Sequence, residues 1–314
     1  MREIGGYFGL EQFCGQEYHR DLIGVNSGRN ALLYILRARH YRKIYIPRFL
    51  CDSVSELCCR EGYAYEEYAL DENFLPKFDQ QLAADEVLYI VNYYGQVSDE
   101  TILQLKKLGN VILDNVQDFY RKPLAGVDTV YSCRKFFGVP DGGYVACNAT
   151  ELPLKMDCSR DRMTHILGRF EESGSAFYGE FQKNDERFYE LPLLAMSPLT
   201  RNILRGIDYD AVRRIRNENY LQLHSALGTY NRLQLNIPDG PYVYPFYCPN
   251  GMEIKKKLAE KKIYVATLWP NVLEYDGTLE KDYAENILPL PIDQRYTKDD
   301  MMRVIYAISE DISF

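Results

Sequence analysis

DTVYSCRKFFGVPDGGYVACN, residues 128–148, is the stretch on which the reading of this chain turns. A β-rich run, Asp128–Arg134, delivers Ser132 and Lys135 into a loop that holds Gly138, Pro140, Gly142 and Gly143. A second strand, Gly142–Asn148, leaves at once. Desolvation at the end of a buried strand favours a neutral, nucleophilic lysine amine. Such an amine can form a Schiff base with an aldehyde cofactor. A serine hydroxyl and loop amides can hold a phosphate. The same residues also suit a surface hairpin with a solvated lysine, and local sequence leaves both readings open.

Two upstream stretches bear on the choice. In VILDNVQDFY, residues 111–120, Asp114 follows apolar residues on a buried strand. A carboxylate there needs a cationic or hydrogen-bonding partner, because burying it alone is expensive. The alternative is an Asp that caps the next turn. Ser27-Gly28-Arg29-Asn30 precedes ALLYILRARH, whose apolar residues recur at helical spacing. Amides at a helix start favour a phosphate, although an ordinary helix cap has the same sequence.

Around these stretches, strands and helices alternate. KIYIP (43–47), AYEEYAL (64–70), EVLYIVNYYG (86–95) and NVILDN (110–115) read as strands. DSVSELCCREG (52–62) and DETILQLKKLG (99–109) read as helices that end on glycine. That alternation implies βαβ crossovers and a mostly parallel sheet, with ligands at the strands' carboxyl ends. Periodicity weakens over 151–200, which reads as loops and short helices. Ile207–Leu227 is a long amphipathic helix. The remainder reads as strand (242–249), helix (251–262), strand (263–270) and a closing helix capped by Thr297 with Asp300 three residues on. The expected fold is α/β. A three-layer α/β/α large domain with a mostly parallel sheet spans residues 1–206, and a smaller C-terminal α/β domain spans 207–314.

Of 314 residues, 37 are Lys or Arg and 45 Asp or Glu, a net charge of −8 that repels nucleic-acid backbones. The densest basic run, Lys255–Lys257 with Lys261 and Lys262, reads as the wet face of a helix. No apolar stretch is long enough to span a bilayer, and MREIGGYFGLEQF lacks a signal-peptide core, so a cytoplasmic location is expected. Eight cysteines without a CxxC pair are expected as buried free thiols, and four scattered histidines suggest no metal site.

The order of these features resembles the DegT/StrS-type sugar aminotransferases, pyridoxal-phosphate enzymes of the aspartate aminotransferase fold (type I). VNSGRNAL stands where that family has Ser-Gly-Thr-x-Ala-Leu, and VNYYGQ matches its His-x-Tyr-Gly strand end. VILDNVQDF resembles its Glu-Asp-x-x-Gln segment. YSCRKFFGVPDGGYV resembles its Ser…Lys…Gly-Asp-Gly-Gly loop. IYIPRFLCDSV, KKLAEKKIYVATLWP and ILPLPIDQRYTKDDMMRVIYAI extend the resemblance over most of the chain.

The resemblance implies pyridoxal 5'-phosphate as cofactor. Lys135 would hold it as an internal aldimine and shuttle the substrate proton. Asp114 would pair with the ring nitrogen, and Gln117 would lie near the ring substituents. Ser132, with Ser27 and the amides of Gly28 and Arg29, would anchor the phosphate. Cys51 occupies the position expected to stack on the ring, with Phe49 or a neighbouring tyrosine as substitutes. Leu193 replaces an Asn that in the family reaches the partner's phosphate, and the Ser132–Lys135 spacing is tighter than the family's. Tyr94, Arg134 and Trp269 are substrate-pocket candidates. The implied reaction moves an amino group from an amino acid, glutamate by analogy, to a keto sugar, usually nucleotide-linked, for surface polysaccharide or related biosynthesis. A homodimer with the active site at its interface is also implied. A different pyridoxal-phosphate reaction, or binding without catalysis, is the alternative. Ser132-x-x-Lys135 also fits the SxxK of serine acyl enzymes, but no KTG accompanies it.

Overall fold

The computed structural model describes residues 4–310. A short strand, β1 (Ile23–Val25), leads into α1 (Gly28–Ala38). Ser27 caps α1: its backbone is extended and its Oγ accepts the Asn30 amide at 3.1 Å. Then follow β2 (Lys43–Pro47), α2 (Asp52–Glu61), β3 (Ala64–Tyr68), β4 (Glu86–Val91), α3 (Asp99–Leu105), β5 (Asn110–Asp114), β6 (Asp128–Ser132) and β7 (Gly143–Ala146). The seven strands form one sheet in the order β1-β7-β6-β5-β4-β2-β3. β2, β3, β4, β5 and β6 run parallel, whereas β7 is antiparallel to both β6 and β1.

Neighbouring residues on a strand face opposite sides of a sheet. Val130 and Val145 belong to one buried cluster with Leu32, Ile35 and Leu36 of α1. Tyr131 and Tyr144 belong to another with Phe119, Met196 and Leu204. The sheet is therefore buried on both faces, as the continuous apolar runs of β4 and β5 require.

Beyond the sheet come α4 (Thr164–Glu171), α5 (Tyr178–Glu190), α6 (Pro198–Arg205) and α7 (Tyr209–Leu227). They are followed by β8 (Tyr244–Tyr247), α8 (Gly251–Glu260), α9 (Leu279–Asn286), β9 (Ile287–Leu290) and α10 (Lys298–Ser309). β8 and β9 form a two-stranded antiparallel sheet with Pro245 opposite Pro289. Both are edge strands, where a missing N–H is tolerated. Tyr220, Leu223, Tyr244, Phe246, Leu288, Val304 and Ile308 form a separate core around that sheet. Trp269, Val272, Tyr283 and Ile287 instead pack into the cluster of the large sheet.

Several expectations change. Residues 263–270 are not a strand: Trp269 has a left-handed φ of 57°, which breaks an extended run, and β9 pairs with β8 instead. β1 has no counterpart in the sequence reading. Within 151–200, α5 is a 13-residue helix rather than a short one. Residue 51, not 52 or 53, caps α2, and its side chain makes no cap bond. The Lys255 side chain faces inward rather than to water. All eight cysteines are free, but only Cys58, Cys133 and Cys248 are buried.

Candidate active site

The parallel register places the carboxyl ends of β4, β5 and β6 side by side. Val91 aligns with Asp114, and Asp114 with Val130. Asp114 is 3% exposed. Its carboxylate accepts the Tyr89 hydroxyl at 2.5 Å and the Val116 amide at 2.8 Å. Tyr89 lies two residues before Val91, hence on the same sheet face as Asp114. Burial pushes the Asp114 carboxyl above its ordinary range. The Tyr89 and Val116 hydrogen bonds and the charge of Lys135 pull it back. Asp114 and Lys135 are thus electrostatic neighbours, although 21 positions separate them in the sequence.

Lys135 is half-buried and lies in the turn after β6. Its Nζ is 5.4 Å from the centroid of the Tyr242 ring and makes no hydrogen bond or ion pair among the described residues. The turn is anchored by the Phe136 and Phe137 amides, which donate to the Cys133 carbonyl at 3.0 and 2.9 Å.

Ser132 ends β6 and is buried against the start of α1. A Cβ added to Gly28 would sit 3.4 Å from the Ser132 Cβ and 3.7 Å from the Tyr131 carbonyl oxygen. The hydroxyl of Ser132 and the first-turn amides of α1 therefore share one neighbourhood. The Ser27 hydroxyl is committed to its cap. The Gly28 and Arg29 amides have no partner in the described residues, as the first turn of a helix leaves them. Gly143 makes this approach possible. A Cβ there would fall 2.8 Å from the carbonyl oxygens of Ser27 and Tyr131. Asp141, fully buried, fixes the other side of the loop through the Ser197 amide (2.9 Å), the Ser197 hydroxyl (2.7 Å) and Thr200.

Some residues of this region carry buried polar atoms without partners. Gln117 is 1% exposed. Its Oε1 accepts the Tyr94 amide at 2.9 Å, while its Nε2 has no partner. The Asn115 Nδ2 is also unpaired, although Asn115 Oδ1 accepts from Asn92 at 3.0 Å. The Arg29 Nε and Nη1 are buried and unpaired, with the guanidinium 4.2 Å over the Tyr189 ring. Unpaired buried donors are costly, and the Gln117 Nε2, beside an Oε1 already held by Tyr94, is free to meet an acceptor oxygen of a ligand.

The remaining sequence candidates are held by partners of their own. Trp269 is 8% exposed and packs edge-on against Phe49 at 4.5 Å and Tyr93 at 5.5 Å. Phe49 is thereby committed to the same aromatic core. Arg134 pairs with Asp185 at 2.9 Å and lies 4.4 Å over Phe188. Burial lowers its guanidinium, and Asp185 offsets this in part. Tyr94 is buried at φ 56°, and its hydroxyl is raised by burial. Cys51 is half-buried, its Sγ 3.3 Å from an Asp52 oxygen, and burial raises its thiol. Sequence reading missed Tyr89 and Tyr242. Tyr89 is visible only once the β4–β5 register is known, and Tyr242 comes from beyond α7. Two open hollows, one at Glu72–Leu75 with Gln96 and Asn236, the other at Arg20–Gly24 with Leu152, are not lined by Lys135 or Asp114.

No protein-family model matches the sequence, and no curated protein matches it. Solved structures do match. The sugar aminotransferase CalS13 from Micromonospora echinospora superposes with a TM-score of 0.62 at 14% identity, over 93% of this chain and 88% of that one. A DegT DnrJ EryC1 StrS aminotransferase from Brucella abortus gives 0.63 at 14%, over 92% and 85%. NtdA from Bacillus subtilis, solved with bound cofactor PMP, gives 0.67 at 16%, over 92% and 72%. Similarity of this kind speaks to architecture, and the chain has the fold of the sugar aminotransferases.

Proposed function

We propose that this protein is a pyridoxal-phosphate-dependent aminotransferase of the DegT/StrS type, taking an amino group from an amino acid, glutamate by analogy, and giving it to a nucleotide-linked keto sugar. The observation that carries the proposal is the convergence of Lys135, buried Asp114 and the Ser132–Gly28 crevice at the sheet's carboxyl edge. The free Nε2 of Gln117, three residues after Asp114, fits an oxygen-bearing ring substituent.

When bound, that cofactor supplies an electron sink for the electrons released at the substrate carbon. The chain's own residues do the rest. Lys135 Nζ is the covalent anchor and the base that carries a proton. Its neighbour Asp114, whose carboxyl burial raises while Tyr89, Val116 and the lysine charge favour its ionised form, would pair with the ring nitrogen and keep it protonated. Ser132 and the amides of Gly28 and Arg29 take the phosphate at the positive end of α1. Gln117 would donate its free Nε2 to a ring substituent. Cys51, at the start of α2, would lie against the cofactor ring, as the family resemblance implies. The Ser27 hydroxyl shapes the crevice as the cap of α1. Tyr94, whose amide donates to Gln117, and Arg134, next to Lys135 and paired with Asp185, would border the substrate side. Trp269 acts through packing.

We further propose a cytoplasmic homodimer whose site is completed by its partner. Ile4, Tyr7 and Phe8, and Phe170 on α4, are 91–100% exposed and are candidates for the interface between subunits. No described helix is long and apolar enough to cross a membrane. A division near residues 206 and 207 is supported by the separate core around β8 and β9.

The test is nitrogen transfer. Purified protein with pyridoxal phosphate, glutamate and nucleotide-linked keto sugars is expected to form 2-oxoglutarate and an amino sugar, and Lys135→Ala to form neither. Transfer that survives Lys135→Ala would overturn the proposal. Cofactor binding without transfer from any amino donor would favour the alternative of a binding protein.

A further inference from the structure

We propose that Arg216 and Gln294 are positioning residues that clamp the Phe136 carbonyl and thereby set where Lys135 delivers its amine; this deepens the functional reading above and rests on it. Gln294 Nε2 donates to the Phe136 carbonyl at 2.7 Å, and Arg216 Nη2 donates to the same oxygen at 3.3 Å. Arg216 Nε binds Gln294 Oε1 at 3.0 Å, which joins the two into one unit. The Phe136 amide is already tied to Cys133. The residue after Lys135 is thus held to the sheet by its amide and to the C-terminal part of the chain by its carbonyl.

The same guanidinium also fixes the ring beside the amine. Arg216 Nη1 donates to the Pro241 and Tyr242 carbonyls at 2.9 and 3.1 Å. Tyr242 lies 5.7 Å from the Phe136 ring and 5.4 Å from Lys135 Nζ. The guanidinium itself stacks 4.6 Å over Phe136.

Arg216 is 1% exposed, and among the described residues no carboxylate hydrogen-bonds it. Asp293, the acid that most influences it, is engaged by Arg295 at 2.6 and 2.8 Å. A buried cation held only by neutral acceptors is a poor source of stability compared with an apolar residue of similar size. What it supplies is direction: its bonds converge on the backbone that carries Lys135 and on Tyr242.

The experiment uses the full chain without cofactor. Brief, limiting acetylation with acetic anhydride is followed by mass spectrometry of the Lys135 peptide, referenced to exposed Lys183. Gln294→Leu is expected to speed acetylation of Lys135 about fivefold, the population change that losing one net hydrogen bond permits. Arg216→Lys, which keeps the charge but gathers its donors on one nitrogen and cannot span all four acceptors, is expected to fall between Gln294→Leu and wild type. Asn219→Ala is the comparison on the same helix. It removes bonds to the Ile292 and Tyr296 carbonyls and touches neither Phe136 nor Tyr242. It is expected to lower thermal stability and leave Lys135 labelling unchanged. Wild-type labelling in both Gln294→Leu and Arg216→Lys would overturn the proposal, as would an equal effect of Asn219→Ala. Because no cofactor is present, that failure is distinct from a failure of wild-type protein to take pyridoxal phosphate.

Discussion

Gly28→Ala separates the site from the fold more cleanly than any other single change. The new Cβ would meet Ser132 Cβ and Val116 Cγ1 at 3.4 Å and the Tyr131 carbonyl at 3.7 Å, all ordinary contacts. Alanine is favoured over glycine by up to about 1 kcal/mol inside a helix, and by less in a first turn. The melting temperature should therefore stay level or rise by up to about 3 °C. Yet the methyl group projects into the gap between Gly28 and Ser132, where the phosphate of the cofactor is proposed to sit. Losing one charge-assisted hydrogen bond there costs about 1.5–3 kcal/mol, roughly tenfold to a hundredfold in affinity. Fluorescence titration with pyridoxal phosphate, alongside a thermal melt by circular dichroism, reads both quantities. Unchanged affinity in a fully folded variant would refute the phosphate assignment, and a large loss of stability would refute the packing argument.

Gly143→Ala is expected to do the reverse. Its Cβ would collide with backbone atoms of Ser27 and Tyr131 that cannot rotate away, at a cost of about 1–3 kcal/mol in the melt. Asp114→Asn should lower transfer activity by orders of magnitude while sparing phosphate affinity, and equal activity would remove Asp114 from the mechanism. Two buried groups should tilt stability in opposite directions with pH. Burial raises Asp118 to about 6, against the Arg121 charge and the Asn92 hydrogen bond, so its contribution is lost as pH rises from about 4 to 6. Burial lowers His19 to about 4, against its Phe119 hydrogen bond, so its contribution is lost as pH falls from 6.5 to 4. Each displacement corresponds to about 3 kcal/mol. Urea melts across pH 4–7 should show Asp118→Asn gaining stability with rising pH relative to wild type, and His19→Gln losing it; parallel profiles would contradict both assignments.

What the sequence revealed depended on locality. The Ser27 cap, β2 at Lys43–Pro47, the glycine stop of α2 and the Thr297–Asp300 capping box are set by neighbouring residues, and each formed as its pattern implies. The strand-end positions of Asp114 and Ser132 followed from the same alternation. Long-range partners were not legible. Three-residue β1 has too little pattern to stand out, and only pairing with β7 makes it a strand. Lys255 looked wet because its lysine neighbours are. It turns inward to donate to Thr267 at 2.9 Å, and burial lowers its amine to about 8. Tyr242 and Arg216 reach the lysine turn only through the packing of the C-terminal segments onto the sheet, which no local spacing encodes.

The most direct measurement is the site of covalent capture. Protein incubated with pyridoxal phosphate, reduced with borohydride and digested should carry the cofactor's mass on the peptide that contains Lys135. A mark on Lys255 instead, whose lowered amine is the natural rival, or on no lysine, would contradict the account.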